Sequence, residues 1–99
     1  MPRKDEILSG LLSAKTQEIV SSPGKYTAFL QTAARNYKYG FQEQVLIHAQ
    51  RPDATACAEI GVWNRLGRWV NRGATGIALL RDPNLPYRIR YVFDVSDTN

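Results

Sequence analysis

The chain has 99 residues, 43% of them hydrophobic and 22% charged, and a formal net charge of +4. That length holds one hydrophobic core, and the composition is too apolar for a disordered chain. No apolar run approaches the ~20 residues of a membrane span, the N-terminus lacks the apolar block of a signal peptide, and Cys57 is the only cysteine. A cytoplasmic protein without an intramolecular disulfide is the expectation.

The first half reads as helices. Ile7, Leu8, Leu11, Leu12, Ile19 and Val20 recur at helical spacing and predict an amphipathic helix over 4–20. Ser22-Pro23 reads as a cap followed by proline in the first turn of a second helix, 23–39. Its inward face is predicted as Tyr26, Phe29, Leu30, Ala33, Ala34 and Tyr37, with Gly40 ending it. Phe41, Val45, Leu46 and Ala49 predict a third helix over 41–50, closed by Arg51-Pro52-Asp53.

The second half changes character. Ala54–Ala58 reads as either a short strand or a connector. Residues 59–66 fit a short helix with Ile60 and Trp63 inward and Gly67 as its stop. Strands are expected at about 68–71, 77–81 and 88–95, the first two forming a hairpin through Arg72-Gly73-Ala74-Thr75-Gly76. Asp82-Pro83-Asn84-Leu85-Pro86 reads as a stiffer turn. The last strand alternates, with Ile89, Tyr91, Phe93 and Val95 on one face and Arg88, Arg90, Val92 and Asp94 on the other. Helices followed by a small antiparallel three-stranded sheet make an α+β fold.

No constellation carries catalysis. His48 and Cys57 are single copies without a third group to orient the imidazole, and they read as a structural histidine and a small buried hydrophobe. One His and one Cys cannot close a metal site, and neither a dinucleotide-binding fingerprint nor a P-loop is present. A non-enzymatic chain with no catalytic residue, cofactor, metal or small-molecule substrate follows.

The charge is unevenly spread. Residues 1–59 hold seven Lys/Arg against six Asp/Glu, whereas residues 60–92 hold six arginines against one acid, Asp82. Arginine's planar fork suits phosphate oxygens and also stacks on bases. In Trp63–Gly73, Arg65, Arg68 and Arg72 recur every three or four residues, interleaved with two tryptophans. A positive groove with flat rings is what single-stranded nucleic acid requires. Trp69 is the better stacking candidate, since Trp63 shares a helical face with Ile60. Arg35, Tyr37, Lys38 and Tyr39 form a second basic–aromatic cluster, in which Tyr37 is expected buried and Tyr39 exposed.

Three stretches carry a resemblance: Leu46-Ile47-x-x-Gln50-x-Pro52-Asp53-Ala54, then Trp63-x-x-x-Gly67-Arg68-x-Val70-x-Arg72-Gly73-x-x-Gly76-Ile77, and finally Tyr91-Val92-Phe93-Asp94-Val95. From about Tyr26 to Thr98 the chain resembles the N-terminal domain of the ArdC-type antirestriction proteins. Related domains head large helicase or methyltransferase proteins of conjugative elements. The resemblance implies a single-stranded DNA-binding module of a mobile-element protein, preceding C-terminal domains of a larger parent protein; the open-ended Val95–Asn99 fits such a fragment. The zinc-ligand histidines of the domain that follows in antirestriction proteins have no counterpart here. The family's turn commonly reads Lys-Gly-Glu/Ser-Lys-Gly, so Arg72-Gly73-Ala74-Thr75-Gly76 keeps one cation and lacks the second. The expected nucleic-acid-binding residues are Tyr39, Arg65, Arg68, Trp69, Arg72, Gly73, Arg88 and Arg90. Two alternatives stand beside this reading: a winged-helix-like duplex DNA binder, and a protein-interaction or dimerisation adaptor.

Overall fold

A computed structural model describes residues 3–80 and 89–99. The chain folds in the order α1 (Lys4–Val20), α2 (Pro23–Arg35), α3 (Phe41–Gln50), β1 (Cys57–Ala58), α4 (Ile60–Arg65), β2 (Ile77–Leu80) and β3 (Ile89–Asp94). A 3₁₀ turn, Val95–Asp97, follows β3. The fold is α+β, as expected, the described residues forming four helices against a three-stranded antiparallel sheet in the order β1-β3-β2. Among the described residues no helix is long and apolar enough to cross a membrane.

Helix α3 is the centre. Val45, Leu46, Ile47 and His48 are all buried, so the middle of this helix is covered on every side, while Phe41 and Gln42 at its start are exposed. One core cluster joins Leu8, Leu46, Ile47 and Ala54 to all four residues of β2 and to Val92. A second joins Ile19, Phe29 and Val45, and Leu12 of α1 packs on both. On α1 the buried stripe therefore runs through Leu8, Leu12 and Ile19, while Ile7 and Val20 stay exposed. Asp5 and Glu6 lie in its first turn, where negative charge meets the positive end of the helix dipole.

Helix α2 begins where predicted, with Ser22 as cap and Pro23 in the first turn, but its inward face and its end both differ. The face that packs inward is Phe29, Thr32, Ala33 and Asn36, and the expected Tyr26, Leu30, Ala34 and Tyr37 are exposed. Polar side chains take the inward positions because partners await them. Thr32 Oγ1 donates to the Pro52 carbonyl (2.9 Å) and lies 2.8 Å from His48 Nδ1. With that hydroxyl proton committed to Pro52, the contact to His48 is donated by the imidazole. Asn36 Nδ2 donates to the carbonyls of Thr32 (2.9 Å) and Ala54 (3.2 Å), and the helix stops at Arg35, four residues before the expected end. Gly40 caps α3 instead, its N–H donating to the Glu43 carboxylate.

The sheet departs from the predicted hairpin. Residues 68–71 form no strand; a single bridge joins Val70 to Thr98. Trp69 exchanges two backbone hydrogen bonds with Asn99 (3.1 and 2.9 Å), and the Asn71 N–H donates to Asp97 (2.7 Å). The third strand is Cys57–Ala58, paired Cys57 to Asp94 and Ala58 to Phe93. Strand β2 pairs with the other side of β3, Ile77 opposite Val92 and Leu80 opposite Ile89. On its free edge, the Gln50 amide takes the place of a fourth strand: its Nε2 donates to the Ala78 carbonyl (2.8 Å) and its Oε1 accepts from the Ala78 N–H (2.9 Å). Gly76 is closely packed, since a Cβ there would sit 3.2 Å from the Tyr91 side chain, which would have to shift by a few tenths of an ångström. The predicted turn 82–86, with Arg81 and Arg88, lies outside the described residues.

Asp94 ties the end of β3 to its surroundings. One carboxylate oxygen accepts from the backbone N–H groups of Thr55 (2.8 Å) and Ala56 (3.1 Å), and the other from the backbone and hydroxyl of Ser96. Burial alone would raise this carboxyl, but those hydrogen bonds outweigh it and hold it below its ordinary value of 3.8. A carboxylate with a depressed folded value contributes stability that is complete above the unfolded value and is lost as pH falls through the folded one. Urea unfolding should therefore show stability declining below about pH 4. Asp94→Asn should cost roughly 2–3 kcal/mol at neutral pH and flatten that decline.

Candidate nucleic-acid interface

Helix α4 and the loop after it carry Arg65, Arg68 and Arg72, three arginines with no acidic partner among the described residues. Glu59 caps the helix, which runs for six residues and ends at Leu66; Gly67 then turns the chain at φ 79°. Only glycine takes that left-handed conformation without strain, so the stop is local and was predicted. Trp63 is 6% exposed and donates its indole N–H to the Phe93 carbonyl (2.9 Å). Ile60, expected beside it in the core, is exposed. Gly73 has φ 86°, and a Cβ there would meet nothing within 4 Å, so its role is to turn the loop.

Beyond Gly67 the loop leans on the C-terminal residues. Arg68 Nε donates to Thr98 Oγ1 (2.7 Å) and its Nη2 to the Thr98 carbonyl (3.3 Å). Neither acceptor is charged, so the guanidinium is oriented without being neutralised. Trp69 is 58% exposed, as predicted, with its backbone fixed by Asn99. Arg65 and Arg72 are exposed. No carboxylate among the described residues pairs with Arg65, Arg68 or Arg72, whereas Arg3, Lys15, Lys25, Arg51 and Arg90 all have acidic partners. Arg65, Arg68, Trp69 and Arg72 thus lie within eight consecutive residues, three arginines without an acidic partner among the described residues and one exposed indole, a basic stretch called the ridge below.

Two expected members do not join it. Arg90 lies on the face of β3 that carries the buried Val92 and Asp94, and it pairs with Glu43 and with Glu59 (3.1 Å) while covering the Tyr39 ring at 5.7 Å. Its charge is already compensated, and Arg88, its expected companion, lies outside the described residues. Tyr39 is half-buried and donates its hydroxyl to the Cys57 carbonyl (2.8 Å). Burial foremost pushes its phenol up to about 12. The expected roles of the two tyrosines are reversed: Tyr37 is the open ring, at 73% exposure. Tyr37 continues the exposed stripe of Tyr26, Leu30 and Ala34, so the misjudged face of α2 accounts for the reversal.

Tyr37 instead belongs to a cleft of about 340 Å³ between the end of α2, β1 and α4. Arg35 and Lys38 supply its cations, and Trp63, Leu66 and the Ala56–Ala58 segment complete its walls. The sequence held a signal for it in the Arg35–Tyr39 cluster, but nothing local joined that cluster to Leu66.

His48 and Cys57 behave as structural groups. Burial foremost lowers the His48 imidazole, and its Nδ1 is held by Thr32. Burial foremost, then the Asp94 charge, pushes the Cys57 thiol up to about 12, so it stays protonated at neutral pH. Among the described residues no three His, Cys, Asp or Glu side chains converge as metal ligands.

No family model, curated protein or solved structure matches this chain.

The sorting of arginines is measurable. Arg90→Ala should cost roughly 2 kcal/mol in urea unfolding, since Glu43 and Glu59 would face each other uncompensated at a partly exposed site. Arg72→Ala should stay within about 0.5 kcal/mol of the parent. Acrylamide should quench Trp69 far more than Trp63, so Trp69→Phe should remove most of the quenchable emission.

Proposed function

We propose that the chain is a non-catalytic single-stranded DNA-binding module, holding phosphates with Arg65, Arg68 and Arg72 and stacking a base on Trp69. The observation that carries this is the ridge itself: three arginines without acidic partners among the described residues, in one stretch with an indole more than half exposed. Unpaired surface guanidinium groups attract phosphate, and every base has a flat face for the indole. The anchoring of Arg68 by Thr98, and of the Trp69 backbone by Asn99, lowers the ordering cost of binding. The resemblance of the Trp63–Ile77 motif to the ArdC-type N-terminal domain supports the same ligand, and with it a role as an accessory module of a mobile-element protein.

A winged-helix mode of duplex binding is less well supported. Its wing would be the hairpin of 68–71 with 77–80, and residues 68–71 pair with the C-terminal residues instead. Helix α4 also offers only Asn64 and Arg65 as base readers over six residues.

Binding of a single-stranded oligonucleotide should be salt-sensitive, with log affinity falling by roughly 0.7 per phosphate neutralised for each tenfold rise in salt. Arg65→Ala with Arg72→Ala leaves every hydrogen bond described above in place and should reduce that slope by roughly 1.4. Trp69→Ala should weaken binding by roughly 1–3 kcal/mol without changing the slope. An unchanged slope in the folded double variant would exclude the ridge as the site. A duplex of the same sequence that outcompetes the single strand would exclude the preference.

A further inference from the structure

Two exposed amides share a face with the Trp69 indole. The N–H groups of Trp69 and Asn71 both donate to the C-terminal segment, to Asn99 and Asp97, as alternate residues of an extended stretch do. Trp69 and Asn99 exchange both backbone hydrogen bonds, so they stand directly opposite each other, with Val70 opposite Thr98 and Asn71 opposite Asp97. Opposite residues point to one face of such a ribbon, and alternate residues along each segment share it. Trp69, Asn71, Asp97 and Asn99 therefore lie on one face, and Val70 and Thr98 on the other. Burial follows the same alternation: Trp69, Asn71 and Asn99 are exposed, whereas Val70 is half-buried and Thr98 is 7% exposed. The face that carries the indole is the outward one.

The two amides on that face are joined to each other. Asn99 Nδ2 donates to Asn71 Oδ1 at 2.9 Å, across the diagonal between the paired segments. That bond leaves Asn71 Nδ2 as a donor and Asn99 Oδ1 as an acceptor, neither with a protein partner among the described residues. Turning both amides over exchanges their roles but leaves the same combination, one donor beside one acceptor. Cβ atoms of opposite residues lie roughly 4.5–5.5 Å apart, so the amide pair is rooted close to the indole. Asp97 shares the face, but its carboxylate is met by Arg51 at 2.7 Å. Arg72 directly follows Asn71 and is exposed.

The pairing edge of every nucleobase is itself a donor beside an acceptor, and its face stacks on an indole. We infer that the Asn71–Asn99 amide pair holds the pairing edge of the base that stacks on Trp69, which makes this site selective for unpaired bases. This rests on the single-strand reading proposed above and gives that preference a cause. Arginine–phosphate contacts accept single strand and duplex alike, whereas in a duplex the pairing edge is already spent on the opposite strand. Each base presents the same combination, so the contact discriminates pairing state and not sequence. The competing role for the amides is to brace the ribbon, and a base blocked at its edge separates the two.

The experiment uses the full chain, a 15-mer of thymidine and a 15-mer of 3-methylthymidine. The methylated strand keeps every phosphate and every stacking face but carries a methyl group where the pairing edge has its N–H. The parent chain should bind the thymidine strand about fivefold or more tightly than the methylated one, a comparison that needs no variant. Asn71→Ala and Asn99→Ala should each bring the two strands within about twofold of each other by weakening only the thymidine strand, whereas Trp69→Ala should weaken both. Equal binding of the two strands by the parent chain, with salt dependence intact, would overturn the edge contact and leave the single-strand reading standing. A methylation penalty undiminished in both amide variants would assign the edge to another residue and overturn the amide pair. Equal loss of both strands in those variants would reduce the amides to a brace and overturn it as well. Failure of either strand to bind at low salt would overturn the edge contact and the single-strand reading together.

Discussion

The buried carboxylate of Asp94 organises the second half of this chain. It accepts from Thr55 and Ala56, which seats β1 beside β3, and from Ser96, which turns the chain into Val95–Asp97. That turn presents Asp97 and Asn99 to the backbone of Asn71 and Trp69, and Thr98 to Arg68. Short elements cannot satisfy their own backbone groups, so side chains stand in for missing strands. Gln50 does the same on the free edge of β2, and Arg51 ties the end of α3 to Asp97 at 2.7 Å. The ridge is therefore a loop in sequence but is clamped along its length.

The same contacts divide the arginines into two populations. Arg51 and Arg90 have carboxylates at hand and serve the fold. Arg35 and Arg68 bind only carbonyl and hydroxyl oxygens, which fix direction but leave the charge uncompensated. Arg65 and Arg72 are exposed without an acidic partner among the described residues. A count of arginines along the chain treats these alike, yet the field at the surface comes only from the uncompensated ones. Two of them flank the cleft and the indole already oriented, an arrangement suited to an extended polyanion.

Helices α1, α3 and α4 were legible because their signals are local: apolar spacing, Arg51-Pro52-Asp53, and Gly67. The start of α2 was legible for the same reason, in Ser22-Pro23. Its end was not, because Asn36 stops the helix by reaching Ala54, eighteen residues away. Its inward face was misjudged on hydrophobicity alone, since Thr32 is buried through His48 and Pro52. The hairpin of 68–71 with 77–81 satisfied every local rule for turns and alternation. It lost to the C-terminal residues, which offered 69–71 a backbone partner that no nearby spacing announces. Of the candidate site, Arg65, Arg68, Trp69 and Arg72 came from local pattern, whereas Leu66 and Asn99 entered only through packing.

By itself the sequence determined an α+β chain with helices first, the glycine turns at Gly67 and Gly73 and the excess of arginine after residue 60. Each of these follows from neighbours within one helical turn, a required backbone angle, or composition. Only the tertiary structure decided which segment became the third strand, which arginines kept a free charge, and that Tyr37 rather than Tyr39 faces solvent. Those outcomes depend on where buried donors and acceptors find partners. Such pairings join residues some sixteen to nearly fifty positions apart, beyond the reach of any periodicity along the chain.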